Sequence, residues 1–171
     1  MTLLFRPTAA ADCAALPAIE RAASQRFLPL PELAWLASGS VITCEQHQQY
    51  SHDELSWLAL SDDDPIGFVV AEAQGTSLFI VEISLHIAWQ GQGLGRRLLI
   101  YVAEQARQKG FTALTLTTFR DVPWNAPWYA RMGFEILSEA TSSAEIRHKR
   151  TEETAHGLAY ESRCAMRLTL E

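Results

Sequence analysis

The amino-acid sequence predicts an α/β protein built on one mixed sheet. Segments with the two-residue periodicity of strands alternate along the chain with segments that have the spacing of amphipathic helices. The length of 171 residues fits one domain, and the composition, 48% hydrophobic and 20% charged, is that of a chain with a buried core. We therefore expect a single domain over residues 1–171, with about seven strands and about four helices.

The first fifty residues are predicted to form one strand and two helices. The apolar run Leu3–Arg6 predicts the strand, and an Ala-rich stretch over residues 9–24 has helical spacing. Pro17 should start a new helical segment or kink this one, because proline lacks the N–H that a helix interior uses. A second helix is predicted over Pro31–Ser38. The polar stretch 43–53 has few core-forming residues, and we expect a mobile loop there.

A β-hairpin and a further strand should follow. Residues 55–60 and 66–71 are rich in apolar strand formers and flank a turn, 61–65, that contains three successive aspartates. The turn signal Gly75-Thr76 precedes another apolar run, Leu78–Ile87. These three runs predict the middle of the sheet.

The second half of the chain alternates between helical and strand patterns. The predicted elements are helix Gly93–Gln108, strand Thr112–Thr118, helix Ala126–Met132, strand Phe134–Ser138, a polar loop Ala140–Gly157 and strand Tyr160–Leu170. Asn125 is a suitable N-cap for the shorter helix, and Gly133 is a suitable stop signal.

The charge balance excludes some classes of partner. Fourteen Lys and Arg residues against twenty Asp and Glu give a net charge of −6. Such a surface opposes nonspecific binding to nucleic acid or to an anionic membrane, and it attracts a cationic substrate. We therefore expect no nucleic-acid partner and no membrane association.

Cysteine and histidine usage predicts a cytoplasmic protein without a metal site. Three widely spaced cysteines provide neither a disulfide framework nor a CxxC cluster, and no signal-peptide core or membrane span is present. Histidines 47, 52, 148 and 156 fall in predicted loops without metal-ligand spacing, so we expect them to face solvent.

The most informative segment is a glycine-rich turn between the third apolar run and the helix at Gly93. It reads Gln90-Gly-Gln-Gly93-Leu-Gly95. Such a turn presents several backbone N–H groups at the positive end of a helix, where a diphosphate can bind. It lacks the Lys-Ser/Thr pair of a P-loop, and a GxGxxG dinucleotide motif would need glycine at Arg96. A plain strand-to-helix turn remains the alternative.

This segment resembles the Q/R-x-x-G-x-G/A signature of the GNAT superfamily of acyl-CoA-dependent N-acetyltransferases. A second segment, Ala126-Pro-Trp-Tyr129-Ala-Arg-Met-Gly133-Phe134, is similar to the aromatic-Tyr-x-x-x-Gly-Phe segment of that family. The resemblance extends over nearly the whole chain. It implies a mostly antiparallel mixed sheet with a splayed parallel pair of strands at a CoA cleft, and acetyl-CoA as co-substrate.

The resemblance also implies a set of residues that contact the coenzyme. Main-chain groups of Ile83 and Leu85 should lie against the thioester carbonyl and the pantetheine. Arg96 and Arg97 are candidates for phosphate contacts, although one of them can equally be a solvated surface arginine. Asn125 can bond the pantetheine arm, cap its helix, or both, and many relatives carry an asparagine three positions earlier, where this chain has Val122. The backbone amides that should hold the diphosphate are those of Gln90, Gly91, Gln92, Gly93, Leu94, Gly95 and Arg96.

Two side chains are candidates for proton transfer. Strand alternation places Glu82 on one face with Ser84 and His86, so Glu82 can act as a general base, directly or through water; a structural carboxylate is the alternative. Relatives often carry their acidic residue three positions earlier, where this chain has Phe79. By resemblance, Tyr129 is the general acid that protonates the leaving thiolate, the alternative being a core aromatic of its helix.

The acceptor is expected to be an amine. Glu20, Trp124 and Trp128 are candidates to bind it, because carboxylates and indole faces suit a cation, although Glu20 can also be a solvated helix carboxylate. The two polar stretches, 43–53 and 140–157, are further candidates. The partner is then an amine-bearing metabolite, or a peptide through its N-terminus or a lysine.

Two other functions stay open, as does the oligomeric state. A CoA-binding sensor or interaction module without turnover is compatible with the departures at Phe79 and Val122. An RNA- or ribosome-directed acetyltransferase is disfavoured by the net acidity. A monomer and a homodimer are both compatible with the sequence.

Overall fold

The computed structural model describes residues 2–171, which form a seven-stranded mixed sheet with five α-helices. The strands lie in the order β1-β2-β3-β4-β5-β7-β6, and β4 and β5 run parallel. The strands are β1 (Leu3–Pro7), β2 (Ser56–Ser61), β3 (Asp64–Gln74), β4 (Ser77–Leu85), β5 (Ala113–Phe119), β6 (Glu135–Leu137) and β7 (Arg163–Thr169). The helices are α1 (Leu16–Ser24), α2 (Cys44–His52), α3 (Leu94–Gln108), α4 (Ala126–Arg131) and α5 (Ala144–Ala155). The predicted fold class is confirmed.

The chain forms two compact units. The first comprises the residues up to Glu72 together with Ile80–Glu104, and the second comprises Ala73–Phe79 and Gln105–Glu171. In the first unit, α1 packs against β2 and β3 through the fully buried residues Leu16, Leu58 and Phe68. In the second unit, β4 and β5 pair in parallel from Ser77↔Ala113 to Phe79↔Thr115, and β7 lies between β5 and β6.

The N-terminal helical stretch divides where the sequence predicts. A 3₁₀ segment covers Ala10–Ala15, and α1 begins at Leu16, so that Pro17 occupies a first-turn position where its missing N–H costs nothing. The helix predicted over Pro31–Ser38 is shorter than expected. It is a 3₁₀ segment over Ala34–Ser38, preceded by turns.

Two predicted loops are wrong, because both contain helices. In the stretch 43–53, the Thr43 hydroxyl accepts from the Gln46 N–H at 3.1 Å, and the Gln46 side chain accepts from the Thr43 N–H at 2.9 Å, so a capping box starts α2. His47 on this helix is fully buried, which contradicts its expected exposure. In the stretch 140–157, Ser143 caps α5.

Two strand ends differ from the prediction for local reasons. Strand β4 ends at Leu85 because His86 Nδ1 accepts from the Ala88 N–H at 3.1 Å and starts a 3₁₀ turn. Strand β7 begins at Arg163 because Tyr160–Ser162 forms another 3₁₀ turn.

Candidate functional site

The glycine-rich segment forms an open loop between the 3₁₀ turn at Ile87–Trp89 and helix α3. Gly91 and Gly93 both have φ of +79°, in the left-handed region that side chains other than glycine rarely adopt. A Cβ built at either position would meet no atom within 4 Å, so the conformation, not crowding, explains the two glycines.

Six consecutive backbone N–H groups in this loop, residues 91–96, are without a hydrogen-bond acceptor within residues 2–171. Helix α3 begins at Leu94, and the first N–H that donates back into the chain is that of Arg97, to the Gly93 carbonyl at 3.3 Å. Free N–H groups at the N-terminus of a fifteen-residue helix create a region of positive potential. Such a run of donors is chemically suited to an anion.

Gln90 has a different role from the rest of the loop. Its N–H donates to the Ile87 carbonyl at 3.2 Å, and its side-chain Nε2 donates to the Leu85 carbonyl at 2.8 Å. Gln90 thus ties the loop to the end of β4, and the backbone amides available to an anion are those of residues 91–96. The Leu85 carbonyl, a predicted contact of the pantetheine, therefore already accepts a hydrogen bond from the Gln90 side chain.

The two arginines of the first turn of α3 differ in their surroundings, although both are exposed. The Arg97 guanidinium lies 5.7 Å from the centre of the Phe5 ring, whereas the Arg96 side chain has no ion pair or hydrogen bond in the described part of the chain. Cations at a helix N-terminus are unfavourable unless an anion binds there. Arg96 is therefore the better placed of the two to bind an anion.

The polar face of β4 is confirmed by a direct contact. The Ser84 hydroxyl donates to Glu82 Oε1 at 3.2 Å, so both side chains lie on one face, while Ile83 and Leu85 alternate with them and are half-buried. Ser84 is buried and Glu82 half-buried. His86 lies beyond the strand and caps the following turn instead of continuing the row.

Tyr129 is positioned by the short helix α4 in the second unit. It is 7% exposed, and its ring makes edge contacts with Trp128, at 5.0 Å between centroids, and with Phe134, at 5.4 Å. Gly133 ends the helix with φ of +103°, and a Cβ there would lie 3.3 Å from Leu168 Cδ1. Aromatic packing on both sides thus fixes the Tyr129 ring.

Asn125 occupies the N-cap position of α4, but its expected side-chain cap is absent from the described structure. With φ of −113° and ψ of −116°, its backbone is outside the usual N-cap region, and Oδ1 accepts from the Phe119 N–H at 3.4 Å instead. The side chain therefore links α4 to the end of β5.

The three side chains predicted to bind the acceptor are all half-buried, and one of them accepts a hydrogen bond from the backbone. Glu20 Oε1 accepts from the Ile42 N–H at 2.9 Å, and burial raises the pKa of this half-buried carboxyl, so Glu20 is not a fully solvated residue. Trp124 and Trp128 are both half-buried. The loop, Glu82 and Glu20 belong to the first unit, and Tyr129, Asn125 and the two tryptophans belong to the second.

Residues 2–171 hold no cluster of three or more His, Cys, Asp or Glu side chains suited to a metal ion. None of the helices over the same residues is both long and apolar enough to cross a bilayer.

Sequence reasoning missed α2 and α5 together with the side chains that they bury. The capping box at Thr43 and Gln46 was the available signal for α2. For α5, the signal was Ser143 followed by Ile146 and Arg150, which are four residues apart and are both buried.

Comparison with solved structures supports the fold. The chain is similar to the PaiA N-acetyltransferase from Thermoplasma acidophilum, solved with coenzyme A, at 15% identity and a TM-score of 0.73, over 99% of each chain. It is similar to the ribosomal-protein-S18-alanine N-acetyltransferase from Escherichia coli at 15% identity and a TM-score of 0.69, over 99% of this chain and 95% of the other. It also matches 36% of the N-acetylglutamate synthase from Neisseria gonorrhoeae, at 18% identity and a TM-score of 0.72, over its own full length.

The sequence also matches the family model described as the acetyltransferase (GNAT) family, over residues 21–134. The match covers more than half of the chain and includes the open loop, the polar face of β4 and α4. This chain therefore belongs to the GNAT acetyltransferase family.

Proposed function

We propose that this protein transfers the acetyl group of acetyl-CoA to an amine, by direct attack within a ternary complex. The observation that carries the proposal is the run of six N–H groups without acceptors at residues 91–96, which suits the diphosphate of coenzyme A. Arg96 supplies a guanidinium beside them. Similar folds are solved with coenzyme A bound, as in the Thermoplasma enzyme.

The pantetheine arm is assigned to the stretch of β4 that follows the parallel ladder. The ladder with β5 ends at Phe79↔Thr115, so residues 80–85 can offer main-chain groups to an extended ligand. A main-chain N–H aimed at the thioester carbonyl would stabilise the oxyanion that forms when the amine attacks, by about 3 kcal/mol.

Proton transfers are assigned to Glu82 and Tyr129. An amine with a pKa of about 10 is mostly protonated at neutral pH, so two protons must leave its nitrogen before it becomes an amide. Glu82, directly or through water, takes the first of them and frees the lone pair for attack. As the tetrahedral intermediate collapses and the carbon–sulfur bond breaks, the Tyr129 hydroxyl gives its proton to the departing thiolate, and the second proton from the nitrogen returns to the Tyr129 oxygen through water. No covalent enzyme intermediate forms.

The acceptor is assigned to the class of cationic amines, either a metabolite or a peptide. The net charge of −6 favours a cation, and Glu20, Trp124 and Trp128 provide a carboxylate and two indoles. The similar enzymes include a synthase of N-acetylglutamate and an enzyme for a ribosomal-protein alanine, so fold similarity favours neither class.

The direct test is release of free thiol from acetyl-CoA over a panel of diamines, amino acids and short peptides. We expect amine-dependent thiol release with formation of the acetylated amine. Tight binding of acetyl-CoA with no release in any well would favour a coenzyme-binding sensor.

Gly93→Val tests the loop assignment. A β-branched residue is strained at φ of +79°, so the loop should move its N–H groups away from the diphosphate, and we expect CoA to bind at least about tenfold more weakly by calorimetry. Gly157→Val is the matched control, because Gly157 has φ of +97° and the same open surroundings at the end of α5. Equal CoA affinity in the two variants would remove the loop from the coenzyme site.

A further inference from the structure

The second unit contains a cavity of about 240 Å³ that is lined by none of the residues given a role in the proposed acetyl transfer, although part of its lining comes from the polar stretch 140–157. It lies beneath the N-terminus of α5, against the sheet. The lining residues are Gln74, Ser77, Thr115, Leu137, Ala140, Thr141, Ser142, Ser143, Ile146 and Arg167.

The first feature that points to a ligand site is the hydroxyl of Thr115 on β5. The residue is only 2% exposed, and its Oγ1 is buried with no hydrogen-bond partner within residues 2–171. A buried hydroxyl without a partner costs about 1–3 kcal/mol, and most such groups in folded proteins find one. A ligand in the cavity can supply it.

The N-terminus of α5 is the second sign. This twelve-residue helix is capped by Ser143, whose hydroxyl accepts from the Ile146 N–H at 3.2 Å. The N–H groups of Ala144 and Glu145 have no acceptor in the described part of the chain, and they carry the positive end of the helix dipole. Ser143 and Ile146 line the cavity, so this end of the helix borders it, with Ala144 and the acidic residue Glu145 between them at its edge.

Arg167 on β7 adds a full positive charge. It is directly opposite Thr115 in the β5–β7 register, so the two side chains share a face of the sheet. Its guanidinium has neither an ion pair nor a hydrogen bond within residues 2–171. On its other side Arg167 is directly opposite Glu135 on β6, so that carboxylate shares the same face of the sheet, but it forms no ion pair with Arg167 and does not line the cavity.

From these three features we infer that the cavity is a binding site for a small oxyanion, a phosphate or carboxylate group carried by a small molecule. An arginine fork, hydroxyl donors and a helix N-terminus are the groups that bind such anions. The volume exceeds that of a bare ion, which leaves room for the molecule that carries it.

Residue-resolved NMR tests the site, because phosphate is also expected at the loop of residues 91–96. Amide spectra are recorded during titration with inorganic phosphate and, separately, with succinate, against chloride at matched ionic strength. We expect saturable shifts of the Ala144 and Glu145 amides in at least one titration, and the anion that binds more tightly identifies the phosphate or carboxylate source. No shift at these two amides with either anion would overturn the proposal.

Two variants separate binding from folding. Arg167→Gln should lower the affinity for the anion, measured from the Ala144 and Glu145 amide shifts, by about tenfold, and the shifts of residues 91–96 should stay as in the wild type. Arg131→Gln is the control, because it removes an exposed charge outside the cavity and should leave the affinity unchanged. Thr115→Val should keep or raise the melting temperature in chloride, because it removes a buried hydroxyl that has no hydrogen-bond partner. The same variant should bind the anion more weakly than the wild type. Wild-type anion affinity in both Arg167→Gln and Thr115→Val would overturn the proposal.

Discussion

A single substitution can test Tyr129, the proposed general acid. Its ring is held by Trp128 and Phe134, so Tyr129→Phe keeps the aromatic packing and removes only the hydroxyl. If that hydroxyl protonates the thiolate, turnover should fall by about 100-fold while CoA affinity stays unchanged, since general acids contribute factors of this order. Steady-state rates and CoA calorimetry on the same preparation measure both quantities.

A second tyrosine provides the control for that experiment. Tyr101 on α3 stacks on Phe5 at 5.6 Å, outside both motifs, and Tyr101→Phe should leave turnover and CoA affinity as in the wild type. Equal turnover in Tyr129→Phe and Tyr101→Phe would mean that Tyr129 serves packing alone.

At the scale of single residues, the glycine turn was predictable, but hydrogen-bond partners were not, including that of the Gln90 backbone N–H. The glycines at 91 and 93 could be read from the sequence because left-handed backbone restricts the residue type strongly. The bonds of Gln90 to Leu85, of Glu20 to Ile42 and of Asn125 to Phe119 join groups whose proximity depends on tertiary structure. No local pattern encodes that proximity.

At the scale of elements, the close approach of β3 to β4 depends on Gly67. A Cβ at this position would lie 2.9 Å from the Ser84 carbonyl oxygen and 3.0 Å from Leu85 Cδ1. Gly67→Ala should therefore push the strands apart and lower the free energy of unfolding by about 1–3 kcal/mol in urea denaturation. Gly39→Ala is the control, because Gly39 has φ of −69° and its Cβ would lie 3.5 Å from the nearest atom. A loss for Gly39→Ala as large as that for Gly67→Ala would argue against a steric cause.

An ion pair between Glu153 on α5 and Arg163 on β7 connects the helix to the sheet, and no sequence pattern predicts it. Arg163 on β7 donates to both carboxylate oxygens of Glu153, at 3.2 and 3.0 Å, and Thr117 on β5 donates to the same carboxylate. Both charged side chains are less than 20% exposed. Glu153→Gln should cost about 2 kcal/mol, because it leaves the Arg163 charge uncompensated, and amide exchange in α5 should accelerate.

The same helix offers a matched control on its outer face. Glu152 pairs with His148 at 3.3 Å, and the two side chains are 50% and 74% exposed. Glu152→Gln should change stability by less than about 0.5 kcal/mol, since exposed pairs contribute little. If Glu153→Gln were equally mild, the buried pair would not be what holds α5 in place.

The strands and the long helix α3 were predictable because their apolar residues repeat with a clear period. Helices α2 and α5 lack such a period, because each is mostly polar and buries only one or two side chains, so the caps at Thr43 and Ser143 are their main sequence signals. Their stability comes from caps and from single contacts such as Glu153 to Arg163, which a periodicity argument does not detect.

At the scale of the whole molecule, His47 makes stability depend on pH. It is fully buried beside Phe68, at 4.8 Å between rings, and neither ring nitrogen has a hydrogen-bond partner in the described structure. Burial lowers its pKa from about 6.5 to about 4. Between these values the unfolded chain binds a proton that the folded chain does not, so stability is retained above pH 6.5 and is lost as the pH falls towards 4. The loss from this group is about 3 kcal/mol at pH 4.

His47→Leu isolates this contribution from the other titrating groups. Asp12, whose pKa is lowered by its hydrogen bond to Arg6, and Glu20, whose pKa is raised by burial, act in opposite directions and are common to both proteins. Urea denaturation at pH 7.5 and pH 4 should show that the wild type loses about 3 kcal/mol more than the variant. At pH 7.5 the variant should be at least as stable as the wild type, because leucine buries no unpaired nitrogen. Equal losses in the two proteins would mean that the folded state accommodates a charged imidazole at position 47.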